Sequence, residues 1–174
     1  MSDIKDLIKG TGSFKIQENS AGKYLVCTSA GKFAFQSNPA CGTWQFEIYK
    51  KASSDVINYW FVSDTASGSA GYSLSLTDSN SIVLYKDATA LFSTSNDYIN
   101  SEVWYSIKIE RALFDKKIYV YIKGGTFADW TLVTASTGTN PIIDTTYVYS
   151  KFNVIELTTN DAVREILIKD GVEI

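Results

Sequence analysis

The stretch from Val103 to Gly125, VWYSIKIERALFDKKIYVYIKGG, constrains the fold more than any other part of the chain. Its residues Val103, Tyr105, Ile107 and Ile109 alternate with Trp104, Ser106, Lys108 and Glu110. After Arg111 to Lys116 the pattern resumes, with Ile118, Val120 and Ile122 set against Lys117, Tyr119, Tyr121 and Lys123. A period of two marks half-buried strands, so the stretch predicts a hairpin. Pairing Ile109 with Ile118, Ile107 with Val120 and Tyr105 with Ile122 keeps the apolar faces together and sets Glu110 opposite Lys117. A slip by one residue would turn every apolar side chain outward. The hairpin then has one core face and one face of Trp, Tyr and Lys, and the functional question is what that second face meets.

Similar short segments recur along the chain. Phe14 and Ile16 alternate; Lys23 to Cys27 and Lys32 to Gln36 form a hairpin pattern about Ser29-Ala30-Gly31; and GTWQFEIYK from Gly42 alternates Trp44, Phe46 and Ile48 with Gln45 and Glu47. INYWFVS, Ile57 to Ser63, is apolar on both faces, as a strand in the middle of a packed sheet would be. Further strand patterns follow at Tyr72 to Leu76, Ile82 to Leu84, Leu91-Phe92, Phe127 to Val133, Tyr147 to Leu157 and Arg164 to Lys169, separated by Gly, Asn, Asp and Ser. Roughly eleven to thirteen short strands at this spacing predict a sandwich or barrel. Ser2 to Gly10 is the exception: Ser2 or Asp3 can cap a helix, Ile4, Leu7 and Ile8 share one face of it, and Gly10 can end it. So short a helix needs a surface to dock on, either its own sheet or a neighbouring subunit. No repeat or shift in composition divides the rest, so residues 1–12 are expected to form an arm with this helix and residues 13–174 a single β-sandwich domain.

Composition narrows the chemistry. The chain has no histidine, which removes Ser-His-Asp and Cys-His nucleophile pairs, a histidine general base and any histidine-bearing zinc site. A net charge of -3 argues against binding to a phosphate backbone, so no nucleic-acid partner is expected. Cys27 and Cys41 lack a CxxC or further thiols; they read as two reduced residues or as a disulfide between neighbouring strands. The N-terminus carries no apolar signal-peptide run and no segment approaches a membrane span, so the expected place of synthesis is a cytoplasm. Asp64, Asp78, Asp87 and Asp97 lie in loops without calcium-loop spacing, so no metal or cofactor is assigned.

Three stretches together resemble the concanavalin A-like lectin and glucanase superfamily. GTWQFEIYK is similar to a strand of laminarinase-type glycoside hydrolases. EVWYSIKIERALFDKKIYVYIKGG is similar to the segment of laminin G-like modules in which a tryptophan opens a strand and the return strand ends in a glycine-bearing turn. The closing REILIKDG is similar to the last strand of such modules. The resemblance implies an all-β jelly-roll sandwich of two antiparallel sheets, here with the short N-terminal helix added.

Relatives of this fold include glycosidases, lectins and parts of phage or virus particles. The glycosidase relatives carry alternating acids on one strand; this chain has no E-x-D-x-E, and Glu47 stands alone opposite Trp44 and Phe46, so no catalysis is expected. The foremost reading is a non-enzymatic structural or auxiliary protein of a phage or virus particle, such as a capsid decoration or tail component, joined to its assembly through the Ser2 to Gly10 helix and therefore found in the virion. The alternative is a carbohydrate-binding module or lectin that stacks a glycan on aromatic rings. For either, the candidate contact residues are Trp60, Trp104, Tyr119 and Tyr121, the last three on one face of the hairpin.

Overall fold

The period-two segments become strands in the computed structural model, which describes residues 7–8, 10–112 and 114–170. Among these residues there are sixteen strands and no helix: β1 (Leu7–Ile8), β2 (Ser13–Asn19), β3 (Gly22–Ser29), β4 (Gly31–Gln36), β5 (Gly42–Tyr49), β6 (Ile57–Ser63), β7 (Gly71–Leu76), β8 (Ile82–Lys86), β9 (Thr89–Ser93), β10 (Trp104–Arg111), β11 (Lys117–Gly124), β12 (Phe127–Leu132), β13 (Thr137–Gly138), β14 (Ile142–Ile143), β15 (Phe152–Leu157) and β16 (Ala162–Asp170). The first sheet runs β1-β4-β15-β6-β7-β8-β9-β13. The second runs β12-β11-β10-β5-β16-β3-β2, with β14 also on β11. The pairings within both are antiparallel. This is the expected jelly-roll sandwich.

Alternation sets the core. Trp44, Phe46 and Ile48 of β5, Tyr105, Ile107 and Ile109 of β10, and Ile118, Val120 and Ile122 of β11 are all buried, facing Ile57, Tyr59 and Phe61 of β6 and Leu74 and Leu76 of β7. Across the interface Phe46 meets Tyr59 edge-on at 4.5 Å between centroids, and Trp44 meets Phe61 at 5.1 Å. Each such fully buried large side chain contributes about 1.5–3 kcal/mol. β6 lies between β15 and β7, the central place that its two apolar faces predict. Cys27 is buried and Cys41 half-buried, and both are free thiols. Burial pushes the Cys27 thiol up, partly offset by backbone hydrogen bonding at Ser29 and Gly31.

Two expectations are corrected. The helix over Ser2 to Gly10 is not formed where the structure describes it: Leu7 and Ile8 make the short strand β1, paired with Phe35 and Ala34 on the free edge of β4. An edge strand offers unpaired backbone groups, whereas a helix of about two turns is marginal in isolation. Residues 1–6 and 9, the remainder of that segment up to Gly10, lie outside the described residues.

The second correction is the hairpin register. Ile107 pairs with Ile122, Ile109 with Val120 and Arg111 with Ile118, a shift of two residues from the expected pairing. Every side chain keeps its face, but Glu110 now lies opposite Tyr119 instead of Lys117. The cause is Arg111, which extends β10 by an inward position: it is 2% exposed and sits beside Gly42 of β5, which has no side chain to compete for the space.

Candidate functional site

The outer face of the second sheet gathers the polar-phase side chains of its strands. Cross-strand pairing places Trp104 of β10 beside Tyr49 of β5, Tyr49 beside Ala162 of β16, Ala162 beside Val26 of β3, and Val26 beside Lys15 of β2. Paired residues share a face, so this row crosses five strands. Its middle members, Ala162 and Val26, are small and its ends are large, so the sheet surface dips. The resulting recess encloses about 460 Å³ and is lined by Tyr24, Tyr49 and Trp104, by Lys15 and Lys51, by Gln17, Asn19, Thr28 and Asn160, and by Val26 and Ala162.

The rings of the recess are held in place from within. Trp104 lies 5.5 Å from Tyr49 and 5.7 Å, edge-on, from Tyr24, centroid to centroid. The Arg164 guanidinium sits 4.3 Å from the Trp104 ring centroid. Arg164 Nε donates to Glu47 Oε2 at 2.5 Å, and Ser106 Oγ donates to Glu47 Oε1 at 3.1 Å. The Tyr24 hydroxyl donates to Gln17 Oε1 at 3.0 Å. Lys51 pairs with Glu102 at the rim, and both are exposed. The hydrogen bond and charge of that pair lower the Glu102 carboxyl and raise Lys51.

Behind the recess, between the lining residues Asn160 and Ala162, the carboxylate of Asp161 is wholly buried. It accepts hydrogen bonds from the backbone N–H of Lys51 at 2.8 Å and of Thr158 at 2.9 Å. Burial nevertheless pushes it up to about 7, with Asp55 adding to the rise. Lys50, also buried, donates from Nζ to the Ser53 carbonyl at 2.6 Å and Asn80 Oδ1 at 2.8 Å. Burial draws the Lys50 ammonium down, opposed by the charges of Asp55, Asp161 and Asp78. These groups fix the loop that carries Lys51 without facing the recess themselves.

Of the residues singled out from sequence, Trp104 lines the recess. Tyr119 and Tyr121 share its sheet face but stand elsewhere: Tyr121 is in the row of Lys108 and Gln45, and Tyr119 in the row of Glu110 and Thr43. The Lys108 row is four residues along β10 from Trp104, about 13 Å at the usual rise of a strand. There the two tyrosines stack at 6.2 Å, and Lys108 Nζ lies 4.4 Å from the Tyr121 ring and 5.4 Å from Trp130. That amine covers one face of each of those two rings. Trp60 lies on the other sheet, because β6 points Ile57, Tyr59 and Phe61 inward and Trp60 to the opposite outer face. Lys32 stands 5.5 Å from its ring, and a Cβ at Gly68 would come within 2.6 Å of it, so the 64–70 loop lies against the indole.

Sequence reasoning missed Tyr24, Tyr49 and the two lysines. Tyr49 shares the outward phase of Gln45 and Glu47, a legible signal. Tyr24 joins it only through the position of β16 between β5 and β3.

Two carboxylates of the outer face, Glu47 and Glu110, stand four residues apart along β10 by register, since Glu47 pairs with Ser106. That places them on the order of 13 Å apart, against about 5–5.5 Å for retaining and about 6.5–9.5 Å for inverting glycoside hydrolysis. Each is engaged, Glu47 by Arg164 and Ser106 and Glu110 by Lys108. Among the described residues no three His, Cys, Asp or Glu converge as a metal site, and no helix is long and apolar enough to cross a membrane.

No protein-family description matches the chain, and no curated protein matches it by sequence. Solved structures do match in shape. A carbohydrate-binding module, CBM66, from Bacillus subtilis superposes with a TM-score of 0.65 at 15% identity over 92% of this chain and 95% of that one. Lectin II from Ulex europaeus gives 0.56 at 11% identity over 91% and 90%. The catalytic domain of a glycoside hydrolase family 131 protein from Coprinopsis cinerea gives 0.50 at 14% identity over 94% and 81%. At these identities the match establishes the concanavalin A-like jelly-roll fold, which binding and catalytic domains share. The expectation of a phage or virus particle protein is overturned: the similar structures are carbohydrate-binding, lectin and glycoside hydrolase domains, and nothing ties the chain to a particle.

Proposed function

We propose that this chain is a non-catalytic carbohydrate-binding protein that holds a glycan in the recess on the outer face of its second sheet. The observation that carries the reading is the lining: three aromatic rings, Tyr24, Tyr49 and Trp104, in one open recess with the amides of Gln17, Asn19 and Asn160 and the hydroxyl of Thr28. A sugar has apolar C–H faces and a polar rim, and it needs rings for the first and hydrogen-bonding groups for the second. The fold shared with a carbohydrate-binding module and a lectin supports the reading. Glu47 and Glu110, so separated and so engaged, do not make an acid and nucleophile pair beside the rings.

Screening on a broad glycan array, followed by calorimetry on the best ligand, tests this. Tyr49→Ala and Trp104→Ala are each expected to weaken binding by about tenfold or more, the loss of roughly 1.4 kcal/mol or more of stacking. Tyr121→Ala should leave it unchanged. No binding anywhere on the array, or loss with Tyr121→Ala but not with Tyr49→Ala, would refute the recess as a glycan site.

A further inference from the structure

Resting on that reading, we infer that the recess selects glycans that carry an anionic group, a hexuronate carboxylate or a sulfate ester, seated against Lys15 and Lys51. The chain as a whole has more acids than bases, 19 against 16. The recess inverts that balance: its lining contains two lysines and no carboxylate. The acids around it are engaged, Asp161 behind the floor by the backbone N–H groups of Lys51 and Thr158. Glu47 is bound by Arg164 and Ser106, and Glu102 pairs with Lys51 on the rim. Lys15 is exposed, on the outward phase of β2 beside Val26, and Glu18 falls on the opposite phase of that strand.

A neutral sugar has no use for an ammonium that must be desolvated to meet it. An anionic substituent makes a charge-assisted hydrogen bond there, roughly twice as strong as a neutral one. Lys51 already shows the pairing: the Glu102 carboxylate occupies its ammonium in the free protein. With side chains 45% and 61% exposed, that pair is weak, and an incoming anion can replace Glu102. The rings then hold the sugar face while the lysines read its charge.

The test uses the full chain on an array whose acidic members are matched to neutral ones of the same backbone: polygalacturonate oligomers against their carboxyl-reduced forms, and sulfated galactan oligomers against desulfated ones. Acidic members should be preferred by about tenfold or more, the effect of one charged contact. Lys15→Gln and Lys51→Gln should each erase most of that preference, and affinity should fall as salt rises. Glu102→Gln, which frees Lys51, should bind the acidic probe about threefold more tightly. The carboxylate and sulfate arms show which anion is preferred. Equal binding of acidic and neutral members, or an acidic preference untouched by both lysine substitutions, would overturn the anionic selectivity while leaving a glycan site in place. Binding to no member would remove the glycan reading and this one with it.

Discussion

Replacing Arg111 with Met tests whether a buried cation ties the end of the central hairpin to the rest of the sandwich. Arg111 Nη1 donates to the carbonyls of Ala40, at 2.8 Å, and Tyr147; Nη2 donates to the Asp144 carbonyl at 3.0 Å. The guanidinium also lies 4.7 Å from the Tyr72 ring centroid. One side chain thus joins β10 to the segments before β5 and after β14. Methionine keeps the length of the stem but leaves three inward carbonyls without their donor, each costing about 1–3 kcal/mol if nothing replaces it. Partial relaxation brings the expected total to about 3–5 kcal/mol, the usual cost of removing one partner from a buried charged network. For a chain of this size that lowers the melting temperature by roughly 6–20 °C. Urea titration followed by tryptophan fluorescence, with thermal unfolding followed by circular dichroism, measures both. Arg111→Lys, which retains the charge but not the planar fork, should fall between wild type and Met. A loss below about 1 kcal/mol for Arg111→Met would show that the carbonyls find water at no cost and that the register shift has another cause.

Two further outcomes follow from the loop behind the recess and from the turn after β11. Because burial holds the Asp161 carboxyl up at about 7, the native state keeps a proton between about pH 4 and 7 that the unfolded chain has released. The sign is therefore that this group's contribution is greatest below about pH 4 and declines as pH rises to about 7. Asp161→Asn loses this slope whatever its fixed offset, so wild type should lose stability relative to the variant from pH 5 to pH 8 in urea titrations; a constant difference would contradict the raised carboxyl. Gly124 has φ +109°, and a Cβ there would stand 2.6 Å from the Trp104 carbonyl oxygen. Gly124→Ala should cost about 1–3 kcal/mol by chemical denaturation, and a neutral result would mean that the β11 to β12 turn re-forms freely.

Strand identity and facing were legible in the sequence because hydrophobic alternation reports them directly, and GTWQFEIYK and the two arms of the hairpin take the faces their phase predicts. Register was not legible to the same depth. Arg111 reads as a turn residue by polarity, and only the carbonyls of Ala40, Asp144 and Tyr147, distant in sequence, make its inward position favourable. The N-terminal segment shows the converse failure. Ile4, Leu7 and Ile8 fit a helical stripe, but the open edge of β4 is a tertiary fact that no local pattern carries. The facing of Trp60 was not legible for a related reason: INYWFVS is apolar on both faces, so its phase does not say which ring meets the core.

The recess required a different kind of information. Its walls come from β2, β3, β5, β10, the loops after β5 and before β16, and β16 itself, segments that are neighbours only because the last strand inserts between β5 and β3. That insertion supplies Ala162, whose small side chain makes the floor, and Arg164, whose guanidinium fixes Trp104 from one face. On the first sheet the corresponding indole, Trp60, is faced by the 64–70 loop and by Lys32, and at the far end of the second sheet Lys108 lies over one face each of Tyr121 and Trp130. Aromatic residues are common to all three places, so ring content does not distinguish them. What does is that the recess rings are braced by Arg164, Glu47 and Ser106 while a volume remains open beside them. Side chains ordered before a ligand arrives spare it the cost of ordering them, and an open volume lets it approach. The proposed glycan site therefore falls on the face where β16 crosses the sheet, on geometry that the closing strand creates and that the opening hairpin supplies only in part.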